Sequence, residues 1–593
     1  MQSGNTLVSE PTKVADIFNS YFANVTNDIR NTLPRPNKDF SEYLPSRGSR
    51  TAFSAFLFLT TEGEISMIIK QLKRKFSLGI DGISTDILKF LPHNIISAIT
   101  HIFNRSLAEG YFPNKFKTSK IVPVYKKKGS CNKKENYRPV SLLSCLSKII
   151  EKLVSKRIIS FLRKQNFFSK YQFGFRKGLS TEHAISLLVN KITRSMNQKK
   201  KTLGIFLDLS KAFDLIDHNI LLHKLDVYGI RGIANKWFQS YLSDRKQLVC
   251  NNGHFSSTIL DIENGAPQGS ILGPLLFLIY INDLPSCLKH STPVFYADDS
   301  NLLISDTNCE TLIRKGNEDL ANVQNWLISN KLALNVGKTQ AIIFRTPNTK
   351  IPTNLSKLML GVNQIKLVES TEFLGVTITK SLSWKPHMMF IKSKIRRTLG
   401  ACRKIRSQIG QGASLKLYHS LIESHILYAI TTWCFGNSTM QNSLQRTCDK
   451  FLKSTFSVYD PQTLREIMRT KGVMTIDQLL FFEIGKCMYK IHTATFPVCF
   501  QDYFTPITHT MNTRSRRIYH SETPHIKLTK QALDFKGGIV WRLIPNHVKY
   551  ENNDLRHQYR SFNSFKIQLK QFIIECGSDD ITDFVMQIRY SMS

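Results

Sequence analysis

Three aspartates carry the most pointed chemistry in the sequence. Asp208 closes the apolar stretch Ile205-Phe206-Leu207-Asp208, and Asp298 and Asp299 stand together in Tyr296-Ala297-Asp298-Asp299. Carboxylates are hard oxygen ligands for divalent cations, and two such ions roughly 4 Å apart ease an in-line displacement at phosphorus by stabilising both the attacking and the leaving oxygen. If the two stretches are neighbours in one sheet, all three acids converge at its end and repel one another unless a cation lies between them. Each pattern alone has a plainer reading, because an Asp after a strand commonly starts a helix and an Asp-Asp pair commonly caps a turn. His419, Glu423 and His425 form no His-Glu-x-x-His pair and have no evident third ligand, so they read as packing residues.

The elements that must position these acids follow from hydrophobic spacing. Residues 203–207 are short, apolar and bounded by a lysine run and Asp208, which reads as a buried strand. Residues 294–296 and 302–304 read as two brief strands with the acidic pair at their connection, a hairpin with a charged tip. A helical pattern starts at Glu62 and breaks at Gly79, Asp81 and Gly82; another runs over 142–162, and 372–378 reads as a strand. Ile391, Ile395, Leu399, Cys402, Ile405 and Ile409 recur at intervals of three and four and mark one face of a helix. Its other faces carry Lys392, Lys394, Arg396, Arg397, Arg403, Lys404 and Arg406, so it can pack on one side and hold a phosphate backbone on the other, or simply face solvent. Residues 1–60 mix a short amphipathic segment (Val14, Ile17, Phe18, Tyr21, Phe22, Val25) with a polar stretch containing Pro34, Pro36 and Pro45, and read as a linker entering a larger assembly.

Charge narrows the class of partner. In 593 residues, 81 Lys and Arg against 44 Asp and Glu leave a net +37, which a compact body carries most easily beside a polyanion. A merely basic protein or one resting on an anionic membrane is the alternative. The lysines and arginines are spread over clusters at 126–128, 199–201, 392–406 and 514–517, however, which suits an extended nucleic acid track. The longest apolar run, 271–281, contains Gly273 and Pro274 and falls well short of the roughly 18 residues of a membrane span. Eleven cysteines without a Cys-x-x-Cys pair argue for a reducing compartment, so the expectation is nucleus and/or cytoplasm, not secretion.

The order and company of the motifs add a resemblance. Before the aspartate strand lie Ile121-Val122-Pro123-Val124-Tyr125-Lys126, Asn136-Tyr137-Arg138-Pro139-Val140-Ser141-Leu142 and Gln172-Phe173-Gly174-Phe175-Arg176. After it come Gly265-Ala266-Pro267-Gln268-Gly269-Ser270, the acidic hairpin, Leu334-Asn335-Val336-Gly337-Lys338-Thr339 and Phe373-Leu374-Gly375-Val376. From about residue 15 to about residue 575 the chain resembles a reverse transcriptase of the jockey-like, apurinic-endonuclease type of non-LTR retrotransposon. The resemblance implies an α+β right-hand polymerase: fingers over 61–200, a palm of antiparallel sheet backed by helices over 201–380, a helical thumb over 381–495 and a C-terminal extension over 496–593. The reverse transcriptase domain as a whole would cover about 107–380.

Carried over residue by residue, the resemblance implies that Asp208, Asp298 and Asp299, with the Leu209 carbonyl, hold two Mg²⁺ ions, for which Mn²⁺ can substitute. Lys126 and Arg138 would meet the triphosphate, Phe213 would exclude a ribose 2′-hydroxyl, and Gln268 would lie against template or incoming nucleotide. Lys338 would protonate departing pyrophosphate. Phe373, Leu374 and Gly375 would grip the primer end, and Lys392, Arg396 and Arg403 the hybrid backbone. Phe213 could instead be a core residue, and Gly375 a structural bulge. The implied partners are an RNA template, a DNA primer or nicked target DNA, dNTPs and a separate endonuclease, with no membrane. A rival reading is a catalytically silent or domesticated nucleic-acid binding remnant of such an element. Asn512 to Arg517 and the stretch around Trp541 resemble a C-terminal block of the same group, with Trp541 a buried anchor.

Overall fold

The computed structural model of the chain describes residues 1–3, 6–45, 51–405, 408–434, 438–504, 533–551 and 558–576. Helix α1 (Pro11–Asn31) precedes strands β1 (Thr118–Tyr125) and β2 (Tyr137–Leu142), helices α2 (Cys145–Lys164) and α3 (Thr181–Asn197), and strands β3 (Lys201–Leu207) and β4 (Leu209–Ser210). Helix α4 (His218–Val227), strands β5 (Arg245–Asn251), β6 (His254–Phe255) and β7 (Leu260–Ile262) and helix α5 (Gly273–Tyr280) follow. Next come strands β8 (Thr292–Tyr296) and β9 (Asp299–Asp306), helix α6 (Cys309–Ser329), and strands β10 (Ala333–Leu334), β11 (Gln340–Phe344), β12 (Lys366–Leu367), β13 (Ser370–Phe373) and β14 (Val376–Thr379). The remainder is helical, including α7 (Lys385–Ile405), α8 (Ser438–Phe456), α9 (Ile476–His492), α10 (Leu533–Leu543) and α11 (Phe562–Glu575).

The central sheet has the order β8-β9-β3-β11-β12, antiparallel throughout except for the parallel β11–β12 pair. It is covered on both faces, which is why β3 is almost wholly apolar. Leu203, Ile205 and Leu207 join the core that includes Leu312, Leu320 and Val323 of α6, and Phe206 joins the opposite core with Ile185, Leu188 and Ile192 of α3. The Ser180 hydroxyl caps α3 and the Asn308 side chain caps α6, fixing where both covering helices start. A second sheet pairs β1 with β2 and β5, while β5 also pairs β6 and β7.

Several boundaries differ from the spacing-based reading. Residues 1–60 are not simply a linker: α1 lays Val14, Phe18 and Phe22 against Ile121 and Val249, and its Asn19 side chain accepts a hydrogen bond from Gln247 at 3.1 Å. Three-residue apolar spacing was present there, but the prolines that suggested a linker all follow the helix. The helix expected from 142 starts at Cys145, because Leu142 ends a strand and the Ser144 hydroxyl caps the turn. The stretch 372–378 is a two-strand hairpin, with Leu374 (φ 47°) and Gly375 (φ 79°) as its turn; Gly375 is thus a turn residue and not a bulge. The apolar face of α7 runs through Met388, Ile391, Ile395, Leu399 and Cys402, whereas Ile405 is 39% exposed and Ile409 lies past the helix end. Among the described residues, no helix is long and apolar enough to cross a membrane.

The C-terminal helices are not set apart from those before them. Trp541 and Val540 of α10 and Phe565, Leu569 and Ile573 of α11 share one apolar core with α9, α7 and the Phe206 face of the sheet. Behind the sheet, Lys224 of α4 is fully buried, 2.7 Å from Asp283 and donating to the Tyr280 carbonyl at 2.6 Å, while the Trp326 indole of α6 donates to the same Asp283 at 3.3 Å. Removing one member strands a buried charge. Lys224→Ala is therefore expected to cost about 3–5 kcal/mol in urea denaturation, and the double change Lys224→Met with Asp283→Leu far less. Equal losses in the two variants would mean that packing volume, not the charge pair, holds these helices.

Candidate active site

Strand register brings the acids together. On β3 the pairing Leu207↔Ser300 puts Asp208 opposite Asp299 one residue further on, and on its other side the pairing Phe206↔Gln340 puts Asp208 opposite Lys338. Lys338, Asp208 and Asp299 thus form one row across the sheet end, with side chains on the same face because paired residues share a face. Lys338 Nζ lies 3.5 Å from Asp208 Oδ2. Asp208 is held by backbone as well: its amide donates to Thr339 Oγ1 at 3.4 Å, and its carbonyl accepts from the Asn335 amide at 2.7 Å. Leu209 pairs with Leu334 of β10, which ties the expected carbonyl ligand to the same loop. The hairpin tip is shorter than expected, since Asp299 already belongs to β9 and only Ala297 and Asp298 make the turn.

That turn is braced from the side. Ala297 has φ 56°, a left-handed conformation that residues with a Cβ rarely adopt. The buried Gln172 side chain holds it there: its Oε1 accepts from the Ala297 amide at 3.0 Å and from the Gly174 amide at 2.9 Å. A Cβ on Gly174 would lie 2.2 Å from the Ala297 nitrogen, so only glycine permits this approach. The spacing of Gln172-Phe173-Gly174 gave no hint that these residues contact the acidic turn, because 125 positions separate Gln172 from Ala297.

A cleft of about 860 Å³ opens beside the acids. Asp208, Asp298, Leu209 and Lys338 line it together with Lys126 and Arg138, from the ends of β1 and β2, and with Glu135 and Asp214. Phe213 and Gln268 complete the wall. Eight of the residues singled out from sequence therefore share one cleft; Asp299 stands next to Asp298 but outside its lining. Lys126 donates to the Glu135 carbonyl at 2.7 Å, and burial, Arg138 and Lys338 all press its pKa below the usual lysine value. An anion between these cations would relieve that pressure.

Phe213 is half-buried, not a core residue: one side stacks near Phe277 at 4.6 Å while the ring also lines the cleft. Gln268 is aimed by its loop. Its Nε2 donates to Asp214 Oδ1 at 2.8 Å, its carbonyl accepts from Ser141, and the buried Glu151 of α2 accepts from the Ile271 and Leu272 amides. Gly269, at φ 136°, would place a Cβ 2.4 Å from the Ser141 carbonyl oxygen, which explains a glycine beside Gln268. Helix α1 also reaches the cleft through Tyr21, Val25 and Ile29. Burial pushes the Tyr21 hydroxyl up to about 12, and Lys211 Nζ lies 4.7 Å from its ring.

The remaining expected site residues lie elsewhere. Phe373 is buried with its ring 6.1 Å from Phe206, two residues before Asp208, and the Tyr428 hydroxyl donates to the Leu374 carbonyl at 2.6 Å. The hairpin is anchored beside the sheet end without lining the cleft. Lys392 does not project from α7 toward a ligand; its ammonium donates to the Ser443 hydroxyl of α8, because that helix covers this part of α7. Arg396 is exposed. The side chain of Arg403, and Asn512 to Arg517, lie outside the described residues.

The donor set suits a hard divalent cation, since carboxylate oxygens converge at one sheet end and repel one another. Burial raises Asp298 above the usual carboxylate range, with Asp208 adding to this and Arg138 opposing it. Burial, then Asp298 and Asp208, push Asp299 up to about 6. The carboxylates are not already closed upon a point, however: among the described residues no three acidic, His or Cys side chains are grouped tightly enough to hold an ion. An acid with a raised folded-state pKa binds its proton more tightly when folded. Its contribution to stability is present below about pH 4 and is lost as pH rises through about 6. Native chain without divalent ions should lose stability over that window in urea denaturation, and Asp299→Asn should flatten the fall; Mg²⁺ should lower the Asp299 midpoint seen by carboxyl NMR. An Asp299 midpoint near 4 without any cation would show that the acids do not confront one another.

Comparison with known proteins agrees with the geometry. Residues 125–378 match the family described as Reverse transcriptase (RNA-dependent DNA polymerase). The chain is 30% identical over 401 residues to the probable RNA-directed DNA polymerase from transposon BS of Drosophila melanogaster, covering 64% of this chain and 43% of that protein. It is 26% identical over 411 residues to the RNA-directed DNA polymerase from mobile element jockey of the same species (66% and 43%), and 27% over 413 residues to the probable polymerase from its transposon X-element (66% and 44%). The chain thus spans less than half the length of these relatives. With the aspartate strand and the acidic hairpin inside the matched stretch, residues 125–378 match the reverse transcriptase family, and the chain is similar to RNA-directed DNA polymerases of transposable elements.

Proposed function

We propose that the chain is an RNA-directed DNA polymerase that extends a DNA 3′ end on an RNA template. The observation that carries this reading is Asp208 between Lys338 and Asp299 at one sheet end, beside a cleft that Lys126 and Arg138 also line. In this reading residues 61–200 act as fingers, 201–380 as palm, 381–495 as thumb and 496–593 as a C-terminal extension, giving a right-hand polymerase.

Asp208, Asp298, Asp299 and the Leu209 carbonyl would hold two Mg²⁺ ions. When bound, these supply the Lewis acidity that eases loss of the primer hydroxyl proton and departure of pyrophosphate. The chain's own cations do the remaining electrostatic work. Lys126 and Arg138 orient the triphosphate, the guanidinium being suited to bidentate contact. Lys338, exposed and beside Asp208, holds a proton at Nζ within reach of the cleft for the departing phosphate oxygen. Phe213 presents an apolar ring where a ribose 2′-hydroxyl would stand, and Gln268, fixed by Asp214, presents a polar wall to the base or template. Phe373 to Gly375 steady the primer terminus, and exposed cations such as Arg396 hold the hybrid by its backbone without reading sequence. The substrates are dNTPs, an RNA template and a DNA primer or nicked target.

Primer extension on an RNA template with Mg²⁺ tests this. Asp298→Ala should lower the rate by about 1000-fold or more, the effect of several kcal/mol of lost transition-state stabilisation. Equal extension by both chains would remove the metal assignment. Hybrid binding by both without extension by either would establish the silent nucleic-acid binder instead. Affinity for hybrid should also fall by orders of magnitude between roughly 50 and 200 mM salt, as expected when several phosphates are contacted. A flat salt response would remove the argument from charge.

A further inference from the structure

Phe175 is an anomaly that the polymerase reading does not use. Its ring is 53% exposed, it lines the cleft, and its backbone adopts φ 54°, which a residue with a Cβ avoids unless its surroundings impose it. The surroundings do impose it. Gly174, one residue before, is pressed against Ala297 of the acidic turn, and Arg176, one residue after, donates back to the Ser169 and Gln172 carbonyls at 2.6 and 2.9 Å. The chain has to reverse between these two anchors, and Phe175 sits at the apex. Its ring is consequently positioned by the same contacts that hold the acidic turn.

That ring stands edge-to-face with Phe213, centroids 6.1 Å apart at 80°, while the other neighbour of Phe213 is Phe277 of α5, 4.6 Å away. A half-buried phenylalanine on a cleft wall has room to swing unless neighbouring rings hold it, and Phe175 and Phe277 both lie against it. We infer that Phe175 is a positioning residue for sugar selection: it acts through Phe213, keeping that ring where a 2′-hydroxyl would collide with it. This rests on the reading of the cleft as a nucleotide site and names what sets its preference for deoxyribose.

Single-nucleotide incorporation by the full chain tests the inference, with kcat/KM measured for a dNTP and the matching rNTP. Glycine adopts the Phe175 backbone conformation without strain, so Phe175→Gly removes the ring while preserving the turn. It is expected to reduce the preference for dNTP roughly 2- to 10-fold, the worth of one aromatic pair, and Phe175→Leu should restore part of it. Phe213→Val should relax the preference further, and adding Phe175→Gly to that variant should change it by less than about twofold. A native preference in Phe175→Gly alongside a relaxed one in Phe213→Val would overturn the inference while leaving the nucleotide site intact. Losses that multiply in the double variant would overturn it too, because Phe175 would then act on its own. If Phe213→Val leaves the preference unchanged, the assignment of Phe213 fails and the inference falls with it.

Discussion

Like charges gathered at one end of a small sheet are the constraint to which the rest of this structure answers. Asp208 and Asp299 are neighbours by strand register and Asp298 by chain connection, so none can escape the others without breaking the sheet. Mutual repulsion and partial burial leave two of the three with raised affinity for protons, and anything that places positive charge among them is favoured. Lys338 occupies the row beside Asp208 and meets part of that need; the opposing Lys126 and Arg138 have the converse need for an anion. The cleft therefore carries both acids and bases before any ligand enters.

Such an arrangement holds only if its backbone is overdetermined, and the supports come from distant stretches of chain. Gln172 satisfies the Ala297 amide and keeps the acidic turn in a conformation it would not choose alone. Glu151, fully buried, accepts two amides of the loop after Gln268, and Asp214 fixes the Gln268 side chain itself. Gln172 and Glu151 are buried, so losing either leaves unsatisfied amides as well as freeing the loop. Rigidity near the acids thus comes from polar contacts layered on an apolar sheet core.

Parts of the chain outside residues 125–378 are integral to this body. Helix α1 closes one side of the cleft with Tyr21, Val25 and Ile29 and is bolted down by Arg30 to Asp217 at 3.2 Å. At the other end, the core from Phe206 through α7 and α9 to α11 is continuous, and Tyr428 reaches back to the Leu374 carbonyl. Movement of the C-terminal helices would be felt at the β13–β14 turn because a hydrogen bond and shared packing join them.

The strand that ends in Asp208, the acidic hairpin, the apolar face of α7 to Cys402 and the residue types of the cleft are legible in the amino-acid order, because local periodicity and motif order depend on neighbours along the chain. What depends on neighbours in space is not. That α1 packs on β5 and reaches the cleft, that Gln172 braces a turn 125 residues away, and that Lys392 is turned onto Ser443 emerge with folding. Phe175 belongs to the same class: its conformation follows from two anchors that only folding brings against the acidic turn. Register, burial and hydrogen-bond partnership are set by which surfaces meet, and a one-dimensional pattern names the surfaces without saying which will face each other.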